Sequence, residues 1–222
     1  MPEQVRTKRR YDSSRRHAQA AATRRDILDA AETLFVRDGY GATPVSAIAR
    51  EARVALKTVY VAFETKSGLL RSLWNARLRG GEDEPPITEH PWYREVLDET
   101  RPARQLALNA RISRAGKERI APLSEVIRSA APLDPDIGAL WQRIGTEYRA
   151  LQRAVVQSVA DKGALRAGLE LERAADILWT INHPNTWQIL VVERGWTPEE
   201  YERWSVDAAC AELLAKPPRR RR

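Results

Sequence analysis

The chain has 222 residues, 43% of them hydrophobic, with 37 Lys and Arg against 30 Asp and Glu and a formal net charge of +7. That is long and apolar enough for one large domain or two small ones with buried cores, which excludes a wholly disordered chain. The longest apolar runs fall far short of the roughly 18 residues that a membrane helix needs. The basic start lacks the apolar core of a secretory leader, and the single cysteine, Cys210, allows no internal disulfide and fits a reducing cytoplasm.

Positive charge gathers at the two ends. Arg6, Lys8, Arg9, Arg10, Arg15, Arg16, Arg24 and Arg25 crowd the start and Lys216 with Arg219 to Arg222 the finish, leaving a mildly acidic body between them. Such ends suit an anionic polymer. Residues 1–22 read as a basic arm without structure of its own, and 216–222 as a basic tail.

From Thr23 onward the apolar pattern is helical, with no sustained alternation of period two, so the expected fold is all-α with about nine helices. Thr23 to Asp38 carries Ile27, Ala31, Leu34 and Phe35 on one face, starts on a Thr23–Asp26 pair resembling a capping box, and stops at Gly39. Thr43 and Pro44 then read as the cap and first residue of a short helix burying Val45, Ile48, Ala49 and Ala52. After a break at Arg53-Val54, a third helix spans Ala55 to Ala62, anchored by Val59, Tyr60 and Phe63. A fourth runs from about Ser67 to Arg79, and Gly80 to Pro86 is a linker by composition.

The C-terminal part holds a helix opening at Pro102, another from about Lys117 to Ala130, and a long one from Asp134-Pro135 to Gly163. Leu171 to Ile181 follows, broken at His183-Pro184 and resuming to Gly195. The last helix opens on the capped start Thr197-Pro198-Glu199-Glu200. The expected division is an N-terminal domain over 23–70 and a larger helical domain over 71–215.

Two short helices joined by a tight turn make a helix-turn-helix. In the third helix Val59 and Phe63 are spaced to face the core. Lys57 and Val61 then point away, Leu56 lies close to that side, and Thr58 and Tyr60 flank it. A helix in the major groove needs this arrangement, with side chains toward base edges and hydroxyls at the margins for phosphates. Lys66, at the next helix start, and Thr43, at the start of the second, are candidates for further phosphates. The candidate DNA-binding set is Thr43, Arg53, Ala55, Leu56, Lys57, Thr58, Tyr60, Val61 and Lys66.

The segment TRRDILDAAETLFVRDGYGATPVSAIAREARVALKTVYVAFETKSGLL, Thr23 to Leu70, resembles the DNA-binding domain of the TetR family of transcriptional regulators. The resemblance rests on Ala31, Leu34-Phe35, Gly39-Tyr40, Ala42-Thr43, Ile48-Ala49, Val54, Thr58-Val59-Tyr60, Phe63 and Lys66. Two positions depart from it: Arg53 stands where the family usually has Gly, and Ala55 where it often has Ser. A non-Gly residue in the left-handed region costs on the order of 1 kcal/mol, and a missing cap about as much again. Arg53 offsets part of this if it reaches a phosphate.

The resemblance implies a sequence-specific, ligand-responsive repressor that binds a double-stranded DNA operator as a homodimer, with a hydrophobic small-molecule effector, no cofactor, no metal and no membrane. Asn109, Trp141, Tyr148, Trp179 and Asn182 are the candidate effector contacts. Trp187, Leu190 and Val191 on one helix and Tyr201, Trp204, Ala208 and Ala211 on the last offer a dimer surface as a four-helix bundle. The sequence carries none of the common catalytic motifs, so no enzyme is expected. The alternative is a non-specific architectural DNA-binding protein that uses its basic ends.

Overall fold

The computed structural model describes residues 4–215, with side chains from Arg15 onward. The basic tail at 216–222 lies outside the described residues. Helices account for nearly all of the regular structure: α1 Gln4–Ala42, α2 Val45–Glu51, α3 Leu56–Phe63, α4 Lys66–Arg79, α5 Pro91–Asp98, α6 Pro102–Ala130, α7 Pro135–Asp161, α8 Leu171–Ile181, α9 Pro184–Trp187 and α10 Pro198–Leu213. A π-helical segment, Gln188–Glu193, continues α9. The all-α expectation holds.

Three boundaries differ from the sequence reading. The first helix does not start at Thr23 but is continuous from Gln4, so the arm expected to lack structure is helical from there. Nothing between Glu3 and Gly39 stops a helix: the stretch has no Gly or Pro, and Arg15 to Ala22 (RRHAQAAA) is built of good helix formers. The two helices expected between Pro102 and Ala130 are one, with Pro122 inside it. Pro122 sits on the exposed side, where the carbonyl it leaves unpaired can meet water. Thr43 is not a helix cap: α2 starts after Pro44 without a side-chain cap bond. α5, for which the sequence pattern carried no signal, opens on Pro91.

Other stops and starts follow the local chemistry. Gly39 has φ +81 and breaks α1, Gly80 at φ +98 closes α4, and Gly163 and Gly195 take positive φ after α7 and the π segment. Asp134 caps α7 through the backbone N–H groups of Asp136 and Ile137. Thr197 and Glu200 form a reciprocal capping box on α10.

Two apolar cores stack along the α6–α7 pair. The first joins α1 to α4 (Ile27, Leu34, Phe35, Ile48, Val59, Phe63, Leu69, Leu73) with the near ends of α6 and α7 (Leu123, Ile127, Ile137, Leu140). The expected domain boundary at residue 70 thus falls inside α4, and the core runs through it. The second core gathers Val96, Leu106, Val155, Val156, Val159, Ala174, Leu178 and Leu213 at the far end. Each fully buried aliphatic or aromatic side chain contributes about 1.5–3 kcal/mol. Residues 109–117 of α6 and 148–152 of α7 lie between the cores. Among the described residues no helix is long and apolar enough to cross a membrane.

Candidate nucleic-acid interface and interior chamber

The turn between α2 and α3 is a Schellman motif. The Val54 N–H donates to the Ala49 carbonyl at 2.9 Å and the Arg53 N–H to that of Arg50 at 3.1 Å. The residue between those bonds must take positive φ, and Arg53 does, at φ +54. Ala55 precedes α3 in extended conformation and gives no side-chain cap bond. Both departures noted in the sequence therefore carry their expected backbone consequence.

Val59 and Phe63 are buried and pin α3 to the first core. Arg24 locks its exit: the guanidinium lies 4.1 Å from the Phe63 ring, donates to the Ala62 carbonyl at 2.7 Å and pairs with Glu82 of the linker. Arg24 was read from sequence only as part of the basic charge, because the partners that give it this role are far away in the chain.

The corner into α4 is tight. Glu64 has φ +63 and ψ −54, and the Thr65 N–H reaches back to the Phe63 carbonyl at 2.7 Å, a γ-turn of positive φ. The Thr65 hydroxyl then caps α4 by accepting from the Gly68 N–H. A Cβ on Gly68 would stand 2.4 Å from the Phe63 carbonyl oxygen, so only glycine fits there.

The outward face of α3 is left to solvent. Leu56 is 42% exposed, Tyr60 47% and Val61 76%, and Lys57 and Arg53 are exposed beside them. At helical spacing Leu56, Lys57, Tyr60 and Val61 share one side, with the half-buried Thr58 at its margin. Lys66, the first residue of α4, holds its ammonium 4.3 Å from the centre of the Tyr40 ring, and burial lowers its pKa. The Tyr40 hydroxyl donates to Asp134 at 2.9 Å, which ties this corner to the start of α7. Burial and that hydrogen bond push the Tyr40 phenol well above its ordinary range.

Thr43 leaves the DNA-binding set. It is 1% exposed, and its hydroxyl donates inward to the Gly39 carbonyl at 2.8 Å and lies 3.3 Å from that of Leu34. The broken end of α1 presents bare carbonyls, and the nearest hydroxyl satisfies them.

Between the two cores lies a polar and aromatic layer. Asn109 and Asn182 both donate to the Gln152 side-chain oxygen, at 2.9 and 3.2 Å. The Tyr148 hydroxyl lies 3.3 Å from that of Ser113 and accepts a long 3.4 Å contact from the Lys117 ammonium. Trp179 meets His183 edge-on at 4.6 Å, and Trp141 does so at 6.4 Å. All five residues expected to meet an effector thus border this layer. Sequence reasoning missed Ser113, Lys117 and Gln152. The clue available was their spacing: Asn109, Ser113 and Lys117 fall at i, i+4 and i+8 on α6.

Trp187 and Tyr201, expected at a dimer surface, belong to the same layer. Tyr201 is fully buried, donates to the Ile181 carbonyl at 2.9 Å and packs its ring 5.1 Å from that of the buried Trp187. Periodicity marks a buried face and is silent about whether one chain or two buries it. Leu190, Val191, Trp204 and Ala208 are half-buried and Ala211 is exposed. Ile189 and Val192, on the π segment, are more than half exposed.

Residues 27–73 match the family model described as bacterial regulatory proteins, tetR family. No curated protein matches the chain by sequence. Among solved structures, one described as a TetR-family transcriptional regulator from Mesorhizobium loti is 24% identical, with a TM-score of 0.67 over 88% of this chain and 98% of that one. SmeT, solved with triclosan, is 21% identical, with a TM-score of 0.68 over 87% and 92%. NalD, the secondary repressor of the MexAB-OprM multidrug efflux pump in Pseudomonas aeruginosa, is 20% identical, with a TM-score of 0.66 over 89% and 98%. At these identities the likeness is one of fold. The family match falls on the helix-turn-helix, and it is that domain, residues 27–73, that is similar to the tetR family of bacterial regulatory proteins.

Proposed function

We propose that the protein is a sequence-specific, ligand-responsive repressor acting as a homodimer. The observation that carries the reading is the outward face of α3, where Leu56, Tyr60 and Val61 are exposed on a helix whose other side is pinned by Val59 and Phe63. Lys57 and Val61 meet base edges, with Ala55 and Leu56 close to the groove floor. Arg53, Thr58, Tyr60 and Lys66 hold phosphates and set the register. The helical arm ahead of Thr23 brings Arg15 and Arg16 along the same body and adds sequence-independent attraction.

Two reading heads must meet two half-sites. The dimer face is the outer side of α9 and α10, with Leu190, Val191, Trp204, Ala208 and Ala211 joined by the exposed Ile189 and Val192. The effector, a small apolar molecule, enters the layer between the cores at Asn109, Trp141, Tyr148, Trp179 and Asn182. Its binding spreads α6 from α7. Because Asp134 at the start of α7 holds Tyr40, the movement reaches the reading head, and the population shifts to dimers wrongly spaced for the operator. The triclosan bound to SmeT and the repressor role of NalD support this reading by likeness of fold.

The test is binding of the purified protein to DNA from immediately upstream of its own gene, against a scrambled duplex of equal length, across a salt series. A preference on the order of a thousandfold at physiological salt is expected. Equal affinity with one steep salt slope would favour the architectural alternative. Light scattering, with and without Ile189→Glu, checks the dimer face.

A further inference from the structure

Lys117 is the odd residue of the interior. It is 4% exposed and lies in the layer between the two cores. An ammonium has three donors, and among the described residues they find only the Ser113 carbonyl and the Tyr148 hydroxyl, both at the long distance of 3.4 Å. Among the described residues no carboxylate pairs with it. Burial alone moves its pKa, from 10.5 down to about 7, with no acid holding it up. A second lysine shows what a settled one looks like in this protein. Lys162 donates to Ser158 at 2.7 Å, to Gln105 at 2.8 Å and to the Leu97 carbonyl at 3.3 Å.

The neighbourhood is unfinished in other ways. Among the described residues Trp179 Nε1 is a buried donor without an acceptor and Asn182 Oδ1 a buried acceptor without a donor, three residues apart at the end of α8. Lys117 also lines a cleft with Ile120, Ser124, Pro184 and Trp187, which holds only about 10 Å³, room for one water at most. One wall of that cleft is α9, a single helical turn that continues as a π-helix, a geometry frequent at functional sites.

We propose that the effector is an organic anion, a carboxylic acid with an apolar aromatic or alicyclic body, whose carboxylate pairs with Lys117 while the body lies among Tyr148, Trp179, His183, Trp187 and Tyr201. The inference rests on the effector reading above and names the ligand's chemistry. A cation is disfavoured, because Lys117 already occupies the aromatic faces that would receive it, 5.4 Å from the Tyr201 centroid and 5.7 Å from that of Tyr148. A neutral apolar ligand would leave Lys117 buried without a counter-charge and favour loss of its proton. A carboxylate supplies the missing counter-charge and acceptors for both Lys117 and Trp179.

The test titrates the full-length protein, by tryptophan fluorescence and thermal shift, with three acids (1-naphthoate, indole-3-acetate and decanoate), each against its own carboxamide, and with a naphthylmethyl trimethylammonium salt. The expected result is that at least one acid binds about tenfold or more tightly than its amide. That preference disappears in Lys117→Met and persists in Lys117→Arg. The inference is overturned if no acid binds better than its amide, or if the preference survives Lys117→Met. Release of upstream DNA is read in parallel and separates the two claims. Amides that bind equally and release DNA sink the acid but leave a sensor. An acid held by Lys117 that never releases DNA leaves the anion site and sinks the sensor.

Discussion

The reading helix and the interior layer each contain groups that packing alone does not account for, and they do so in opposite senses. α3 leaves apolar side chains, Leu56 and Val61, in water. The layer between the cores leaves a cation, Lys117, out of water. Both are local departures from the rule that apolar groups are buried and charges solvated. The difference lies in what would complete them. The face of α3 is convex and open, so a large rigid partner can cover it without change in the protein. The layer is closed, so whatever completes it must first move α9 or spread α6 from α7. That asymmetry fits the proposed repressor, which would offer an open surface to DNA and a closed interior to an effector.

Mutations on the two sides of α3 give the sharpest contrast. Phe63→Ala empties a core position and removes the platform beneath Arg24, and should destabilise the fold by about 3–5 kcal/mol in chemical denaturation. Val61→Glu, two residues away and outward, should change stability by less than about 0.5 kcal/mol and yet abolish preference for the operator in a gel-shift titration. If both variants lost stability alike, α3 would be a packing element and not a reading one.

The interior is tested by charge. Lys117→Met should raise stability at pH 7 by on the order of a few kcal/mol, because it removes a buried, unpaired ammonium. The sign of the pH dependence follows from the lowered pKa. Between about 7 and the ordinary 10.5 the unfolded chain binds the proton and the folded chain does not, so wild-type stability rises with pH across that window. The gain from Lys117→Met should therefore shrink as pH climbs from 7 to 9.5. The groups facing Lys117 do not obscure this: burial holds the Tyr148 and Tyr201 phenols above their ordinary value, and His183 below its own, so all three stay neutral throughout. A gain that is constant with pH would mean that Lys117 is charged in the folded state at all of these values.

Smaller effects probe the frame around α3. Thr43→Val removes the hydroxyl that satisfies the broken end of α1 and should cost about 1–3 kcal/mol in thermal unfolding, with the salt slope of DNA binding unchanged. A reduced slope would return Thr43 to the phosphate contacts. Arg53→Gly, the smallest of the series, relieves a left-handed residue and should stabilise the protein by about 1 kcal/mol. It should at the same time weaken DNA binding and lower the salt slope by about one phosphate.

Much of the head was legible because its signals are local. A glycine break at Gly39, a proline start at Pro44, a left-handed position at Arg53 and 3.6-residue spacing at Val59 and Phe63 each depend on a few neighbouring residues. Side-chain direction beyond that range was not. Thr43 looked like a cap because a Thr before Pro suits a helix start, and it turned inward because the carbonyls of Leu34 and Gly39 lie within reach of its hydroxyl. Gly68 carried no signal at all, since its necessity comes from a carbonyl on the preceding helix.

The sequence by itself determined that this protein is helical throughout, that its first seventy residues hold a helix-turn-helix, and which side of α3 faces its own core. Helical period, breakers and caps are short-range physics, and they are written in consecutive residues. Only the tertiary structure decided that Trp187 and Tyr201 are spent inside one chain, and that one core joins the head to α6 and α7. It also decided that Lys117 is buried without an acid. Those outcomes depend on which helices meet, and burial of a charge is a property of every element around it, so no spacing within α6 could announce it.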